Sequence, residues 1–194
     1  MRTTRISFKF RLLLILGFIL IVAGCKQMSE YEADQSAGLN GGFEVTRNNL
    51  PVNWGMNTPK TLQDADFVIV LDKNIYKEGK QSLKFDVKKC TSIGGWHSPG
   101  FTNEFFEVGR FMGEGRYKLS FWVKNEGCTF KISAGGVATK EGDEKTLIEE
   151  KQQISDWKRL EYQINVPKDR WLRMELNILQ PGTFWIDDIK IEKI

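Results

Sequence analysis

The sequence predicts an all-β protein, a two-sheet antiparallel β-sandwich, and three observations carry that prediction. From residue 41 onward apolar and polar residues alternate with a period of two, the mark of half-buried strands. Gly, Pro and Asn punctuate the gaps, at Gly94-Gly95, Pro99-Gly100, Gly113, Asn125 to Gly127, Gly135-Gly136 and Pro181-Gly182. No segment sustains a helical period, residues 144–153 coming nearest to one.

The first expected strand covers 66–71. Residues 81–88 (QSLKFDVK) set Leu83, Phe85 and Val87 against Lys84, Asp86 and Lys88. A strand at 103–108 follows, and residues 116–124 (RYKLSFWVK) gather Tyr117, Leu119, Phe121 and Val123. Residues 128–134 gather Cys128, Phe130, Ile132 and Ala134, and a strand is expected at 145–153. Residues 159–166 alternate around Leu160, Tyr162, Ile164 and Val166, and residues 171–178 around Leu172, Met174, Leu176 and Ile178. A last strand is expected at 183–192. About eight to ten antiparallel strands in one small domain fit a jelly roll or an immunoglobulin-like sandwich. The Cys…Trp…Cys spacing of an immunoglobulin domain is missing.

The formal charge of +3 on 194 residues is set by the first 24, which hold Arg2, Arg5, Lys9 and Arg11 and no acid. Without those four, 24 Lys and Arg face 25 Asp and Glu, a charge of −1, so no footprint for nucleic acid remains. Leu12 to Val22 is an apolar run too short to span a bilayer, which takes about 20 residues, and the right length for a signal-peptide core. It ends in Val22-Ala23-Gly24-Cys25, an aliphatic residue, two small residues and a Cys. Here the chain resembles bacterial lipoproteins. The resemblance implies cleavage before Cys25, lipidation of its thiol and attachment to a membrane through that anchor. Lys26, where an Asp would imply inner-membrane retention, implies sorting to the outer membrane of a Gram-negative host, facing the periplasm or the cell surface. Residues 25–40 lack an apolar period and read as a flexible tether, and 41–194 as the folded domain.

Four segments of the body then occur in a telling order: Asn40-Gly41-Gly42-Phe43-Glu44, Glu78 to Phe85 (EGKQSLKF), Tyr117 to Lys124 (YKLSFWVK) and Phe184 to Ile189 (FWIDDI). Trp157-Lys158-Arg159-Leu160 and Val166-Pro167 fall between the last two. Together they resemble carbohydrate-binding modules of the family four, nine and twenty-two type, with a galactose-binding-domain-like jelly roll, over residues 40–194. The resemblance implies a structural calcium held by Glu44, by Asp187 or Asp188, and by carbonyls around Lys77 to Lys80. Such a mixed carboxylate and carbonyl set suits Ca²⁺. Asp187 and Asp188 point to opposite faces unless the strand is bulged.

Sugars present apolar C–H faces and hydroxyl rims, so a binding face needs exposed aromatics flanked by amides, carboxylates and guanidinium groups. Trp122 lies on the polar face of its strand beside Lys118, Ser120 and Lys124. Trp171 lies on the polar face of its strand beside Arg173, Glu175 and Asn177. If both faces share one concave sheet, they form a cleft with Gln163 and Asn177, overhung by Trp54 and Trp96 in turn-like segments. The expected partner is a polysaccharide or oligosaccharide, with protein partners at the cell surface as an alternative. Neither a G-x-S-x-G elbow nor a phosphate-binding Gly-rich loop is present, and His97 is the lone histidine. The expectation is a non-catalytic protein, a small jelly-roll polysaccharide-active enzyme being the less favoured reading. Cys90 and Cys128 have opposite strand parity, which leaves their pairing open.

Overall fold

The structure is a computed structural model that describes residues 30–104, 112–138 and 141–194. Residues 1–29, and with them the expected signal peptide and lipidated Cys25, lie outside the described residues. The strands are β1 (Thr46–Arg47), β2 (Leu50–Pro51), β3 (Gly55–Asn57), β4 (Asp66–Asp72), β5 (Ser82–Lys89), β6 (Gly100–Glu104), β7 (Gly115–Glu126), β8 (Thr129–Ala138), β9 (Glu141–Glu150), β10 (Ile154–Val166), β11 (Trp171–Gln180) and β12 (Gly182–Lys193). β1 and β2 make a small hairpin. The rest form two antiparallel five-stranded sheets, in the orders β3-β6-β11-β8-β9 and β10-β7-β12-β5-β4. The fold is the all-β sandwich that the alternation predicts. Residues 144–153, the nearest approach to a helical pattern, fall largely in β9.

The two sheets bury their apolar stripes against each other. Phe101, Phe130, Ile132, Leu172, Met174 and Leu176 of the first sheet and Leu83, Phe85, Leu119, Phe121, Phe184 and Ile186 of the second are all fully buried. Phe130 and Phe184 join the sheets with ring centroids 4.5 Å apart. Fully burying one such side chain stabilises the fold by roughly 1.5–3 kcal/mol. Strand parity then decides everything on the outer faces, because a residue between two buried neighbours points away from the core.

Two expectations are corrected here. Trp54 does not overhang a cleft. It is wholly buried, edge-on to Phe101 at 4.9 Å and tilted against Phe43 at 5.5 Å, with Nε1 donating to the Asn40 carbonyl at 3.1 Å. Nor are residues 25–40 a free tether throughout, because the described part, from Glu30, is bonded to the domain. Glu30 and Met56 exchange backbone hydrogen bonds of 2.8 and 2.9 Å along the outer edge of β3. Asn53 N–H donates to the Glu32 carbonyl at 2.8 Å. The Asn53 side chain accepts from Asp34 N–H at 2.7 Å and donates to the carbonyls of Asp34 and Gly38 at 2.7 and 2.8 Å. Polar side-chain bonds hold this segment, so it carries no apolar period to announce it.

Cys90 and Cys128 are free thiols. Burial pushes the Cys128 thiol up to about 12, so it behaves as a packed apolar group.

Asn53 has a left-handed φ of 69°, which Gly tolerates. Asn53→Gly therefore keeps the turn and removes only the side-chain bonds. It should lower unfolding stability by about 2–3 kcal/mol and raise amide exchange over residues 31–38, read by denaturant unfolding and hydrogen exchange.

Candidate functional site

β11 builds the site. Its inward residues Leu172, Met174 and Leu176 fix Trp171, Arg173, Glu175 and Asn177 on the outer face of the first sheet. The neighbours in register are Gly135, Ser133 and Lys131 on β8, and Thr102 and Gly100 on β6. Gly135 and Gly100 are required by close backbone approach: a Cβ would stand 2.1 Å from the Asp143 carbonyl oxygen in one case and 1.9 Å from that of Leu176 in the other.

A continuous polar network crosses this face. Arg173 Nε lies 3.4 Å from Glu144 Oε1 on β9, and Nη2 lies 3.3 Å from Glu175 Oε2. Asn177 Nδ2 donates to Glu175 Oε1 at 2.8 Å, and Asn177 Oδ1 accepts from Gly95 N–H. Arg173 and Glu175 side chains are 17% exposed, so the ion pair is shielded from solvent more than a surface pair.

The segment 91–99 stands over one end of the face. A 3-10 turn, Gly95–His97, carries Trp96. Asn57 Nδ2 donates to the carbonyls of Ser98 and Gly95 at 3.1 and 3.3 Å. Ser98 Oγ accepts from Gly94 N–H at 3.0 Å, and Thr91 Oγ1 donates to the His97 carbonyl at 2.7 Å. Held in this way, Trp96 remains 43% exposed with the Arg173 guanidinium 5.8 Å from its ring centroid. Such a contact is worth roughly 0.5–1 kcal/mol and keeps the indole over Arg173.

The structure therefore brings Trp96, Trp171, Arg173 and Asn177 to one face and adds Glu144 and Asn57 to them. Asn177 is nearly fully buried, and both ends of its amide are engaged, so it positions the Trp96 turn and Glu175. Trp122 and Gln163 are separated from this group. They lie on the outer face of the second sheet, where Trp122 is opposite Arg159 and Asp187, with Lys77 Nζ 4.2 Å over its ring, and Gln163 is opposite Lys118. The proposed single cleft containing both Trp122 and Trp171 is thus corrected. Parity placed each on a polar face, but the sheet order puts those faces on opposite sides of the sandwich.

The expected calcium ligands lie where β12, the central strand of the second sheet, runs past the start of β5. The strand is bulged between Asp187 and Lys190, yet the two carboxylates meet different surroundings. Asp187 is fully buried, and Asp188 pairs with Lys190 at 2.7 Å. Asp187 Oδ2 accepts from Lys77 and Glu78 N–H at 2.7 and 3.0 Å, and Oδ1 accepts from Asp188 N–H at 2.7 Å. Glu44 Oε1 accepts from Lys80 N–H at 2.7 Å. Three N–H groups of the 77–80 segment thus occupy lone pairs of these carboxylates, an arrangement that disfavours a cation there. Among the described residues, no three His, Cys, Asp or Glu side chains converge on a metal position.

Burial pushes the Asp187 carboxyl above its ordinary 3.8, against the pull of the three N–H donors. A carboxyl that holds its proton more tightly folded than unfolded contributes most at low pH. That contribution declines as pH rises from 3.8 through the raised value. Asp187→Asn should lower stability by about 1–3 kcal/mol and flatten this decline. The thermal midpoint of the unaltered protein should be the same in excess calcium and in chelator.

No family model matches the chain, and no curated protein matches it. Solved structures do. The CBM22-1 xylan-binding domain of Paenibacillus barcinonensis Xyn10C is similar at 14% identity and a TM-score of 0.56, over 79% of this chain and 92% of that one. TmCBM61, solved with β-1,4-galactotriose, is similar at 18% identity and a TM-score of 0.52, over 80% of this chain and 96% of that one. The enzymatically active domain of bacteriophage CBA120 tailspike protein 4 is similar at 14% identity and a TM-score of 0.54, over 80% of this chain but 21% of that one. The shared feature is the jelly-roll β-sandwich.

Proposed function

We propose that the chain is an exported, lipid-anchored, non-catalytic glycan-binding protein of the bacterial outer membrane. Its binding face is the outer face of the first sheet. The observation that carries the reading is Trp96, exposed above Arg173 on a face otherwise made of carboxylates, amides and hydroxyls. An indole face complements the apolar C–H face of a pyranose ring. Arg173 and Glu175, with Ser133 and Thr102 beside Glu175, offer donors and acceptors to the hydroxyl rim. Trp171, half-buried at the other end of β11, supplies a second aromatic along the same strand. Structures with this fold include one described as a xylan-binding domain and one solved with a galactotriose, which supports a polysaccharide or oligosaccharide as the ligand.

A non-catalytic role is supported by the state of the acids. Glu144 and Glu175 both pair with the same guanidinium, and Glu175 also accepts from Asn177. They hold the face together and do not oppose each other across a gap as acid and base would. The membrane anchor rests on the lipobox ending at Cys25, and sorting to the outer membrane rests on Lys26.

Affinity electrophoresis against plant, host and microbial polysaccharides tests the binding face. Trp96→Ala and Arg173→Ala should each weaken binding of the retarding glycan by about tenfold or more, the loss expected when a central aromatic or Arg anchor is truncated. Trp122→Ala on the other sheet should leave it unchanged. No retardation by any glycan would overturn the reading and leave the face to a protein partner.

A further inference from the structure

The bonds of the N-terminal segment fix how far the domain stands from its anchor. Glu30 is stitched to Met56 on β3, and Glu32 and Asp34 are held by Asn53. The same segment is held from its other side. Arg47 pairs with Glu32 at 3.2 Å, Asn48 donates to Glu32 at 2.7 Å, and Lys60 pairs with Glu30 at 3.0 Å. Between Cys25 and Glu30 the sequence has only Lys26, Gln27, Met28 and Ser29. Five Cα-to-Cα steps span at most about 18 Å when fully extended.

We propose that this edge of the sandwich is a bilayer-facing surface. The inference rests on the reading of Cys25 as the lipidated residue. A lipid on Cys25 then keeps Glu30 within about 18 Å of the headgroups, and Lys60 and the β1–β2 hairpin are bonded beside it through Glu30 and Glu32. The occupant is the membrane that holds the anchor. Chain length dictates the approach, and charge does not, because the ionic side chains there are paired: Lys60 with Glu30, and Arg47 with Glu32 and Asp34. The placement also orients the candidate face. β3 is the membrane-side edge of the first sheet, and its Asn57 holds the Trp96 turn. The Trp96 indole reaches from there over Arg173 of the central strand β11, and β9 lies four strand spacings from β3, about 19 Å. A long glycan bound there runs beside the bilayer.

The test uses the full acylated protein in vesicles carrying an acceptor-dye lipid. A donor dye is attached through Lys60→Cys or, on exposed β9, through Lys145→Cys, both in a Cys90→Ser background. Transfer from position 60 should exceed that from position 145 by about twofold or more, given the roughly 19 Å between the two edges. It should survive high salt, which screens surface charge. Inserting about 20 Gly/Ser residues after Ser29 should bring the two positions toward equality, since such a linker is a flexible coil. Equal transfer at native length, or no response to the insertion, overturns the proposal while leaving the anchor in place. Absence of acyl mass on Cys25 removes the anchor itself and overturns both readings.

Discussion

The strand period of β11 is the constraint on which the proposed binding face depends. Burying Leu172, Met174, Leu176 and Ile178 against the second sheet leaves no choice about where Trp171, Arg173, Glu175 and Asn177 point. A slip of one residue would drive an arginine and a glutamate into the core. The same packing that stabilises the sandwich therefore also fixes the candidate face.

Buried asparagines attach what the strands do not. Asn40 bonds both Val45 and Val52 and takes the indole of Trp54 on its carbonyl. Asn53 holds the N-terminal segment, Asn57 and Asn177 hold the Trp96 turn, and Asn125 ties Cys128 to Gln152. An amide with two donors and an acceptor satisfies backbone groups of irregular chain that have no ladder partner. Asp187 does the same for Lys77 and Glu78, whose N–H groups it accepts along with that of Asp188. Losing one such partner leaves buried backbone groups unpaired, which costs more than the bond itself contributes.

This division explains what the sequence reveals. The long strands and their inward stripes are legible because alternation records burial directly. Arg173, Trp171 and Asn177 are legible as neighbours because one strand carries them at every second position. Trp122 is legible as outward-facing, but parity within a strand says nothing about which sheet the strand joins, and β7 and β11 belong to different sheets. Trp54 misleads because its turn-like setting resembles that of Trp96, whereas Phe43 and Phe101 close around its ring. Glu144 reaches Arg173 from β9, 29 positions away in the chain, and only strand pairing shows it. The segment from Glu30 to Asn40 misleads because its attachments are polar and point to single residues far along the chain.

The outer side of the first sheet is proposed to take the sugar, and the indole N–H resonances, followed while a binding oligosaccharide is titrated, read this out residue by residue. Trp96 and Trp171 are expected to move together and saturate together, while Trp122, Trp185 and the buried Trp54 stay in place. Movement of Trp122 with Trp96 unmoved would assign the site to the opposite sheet and contradict the proposal.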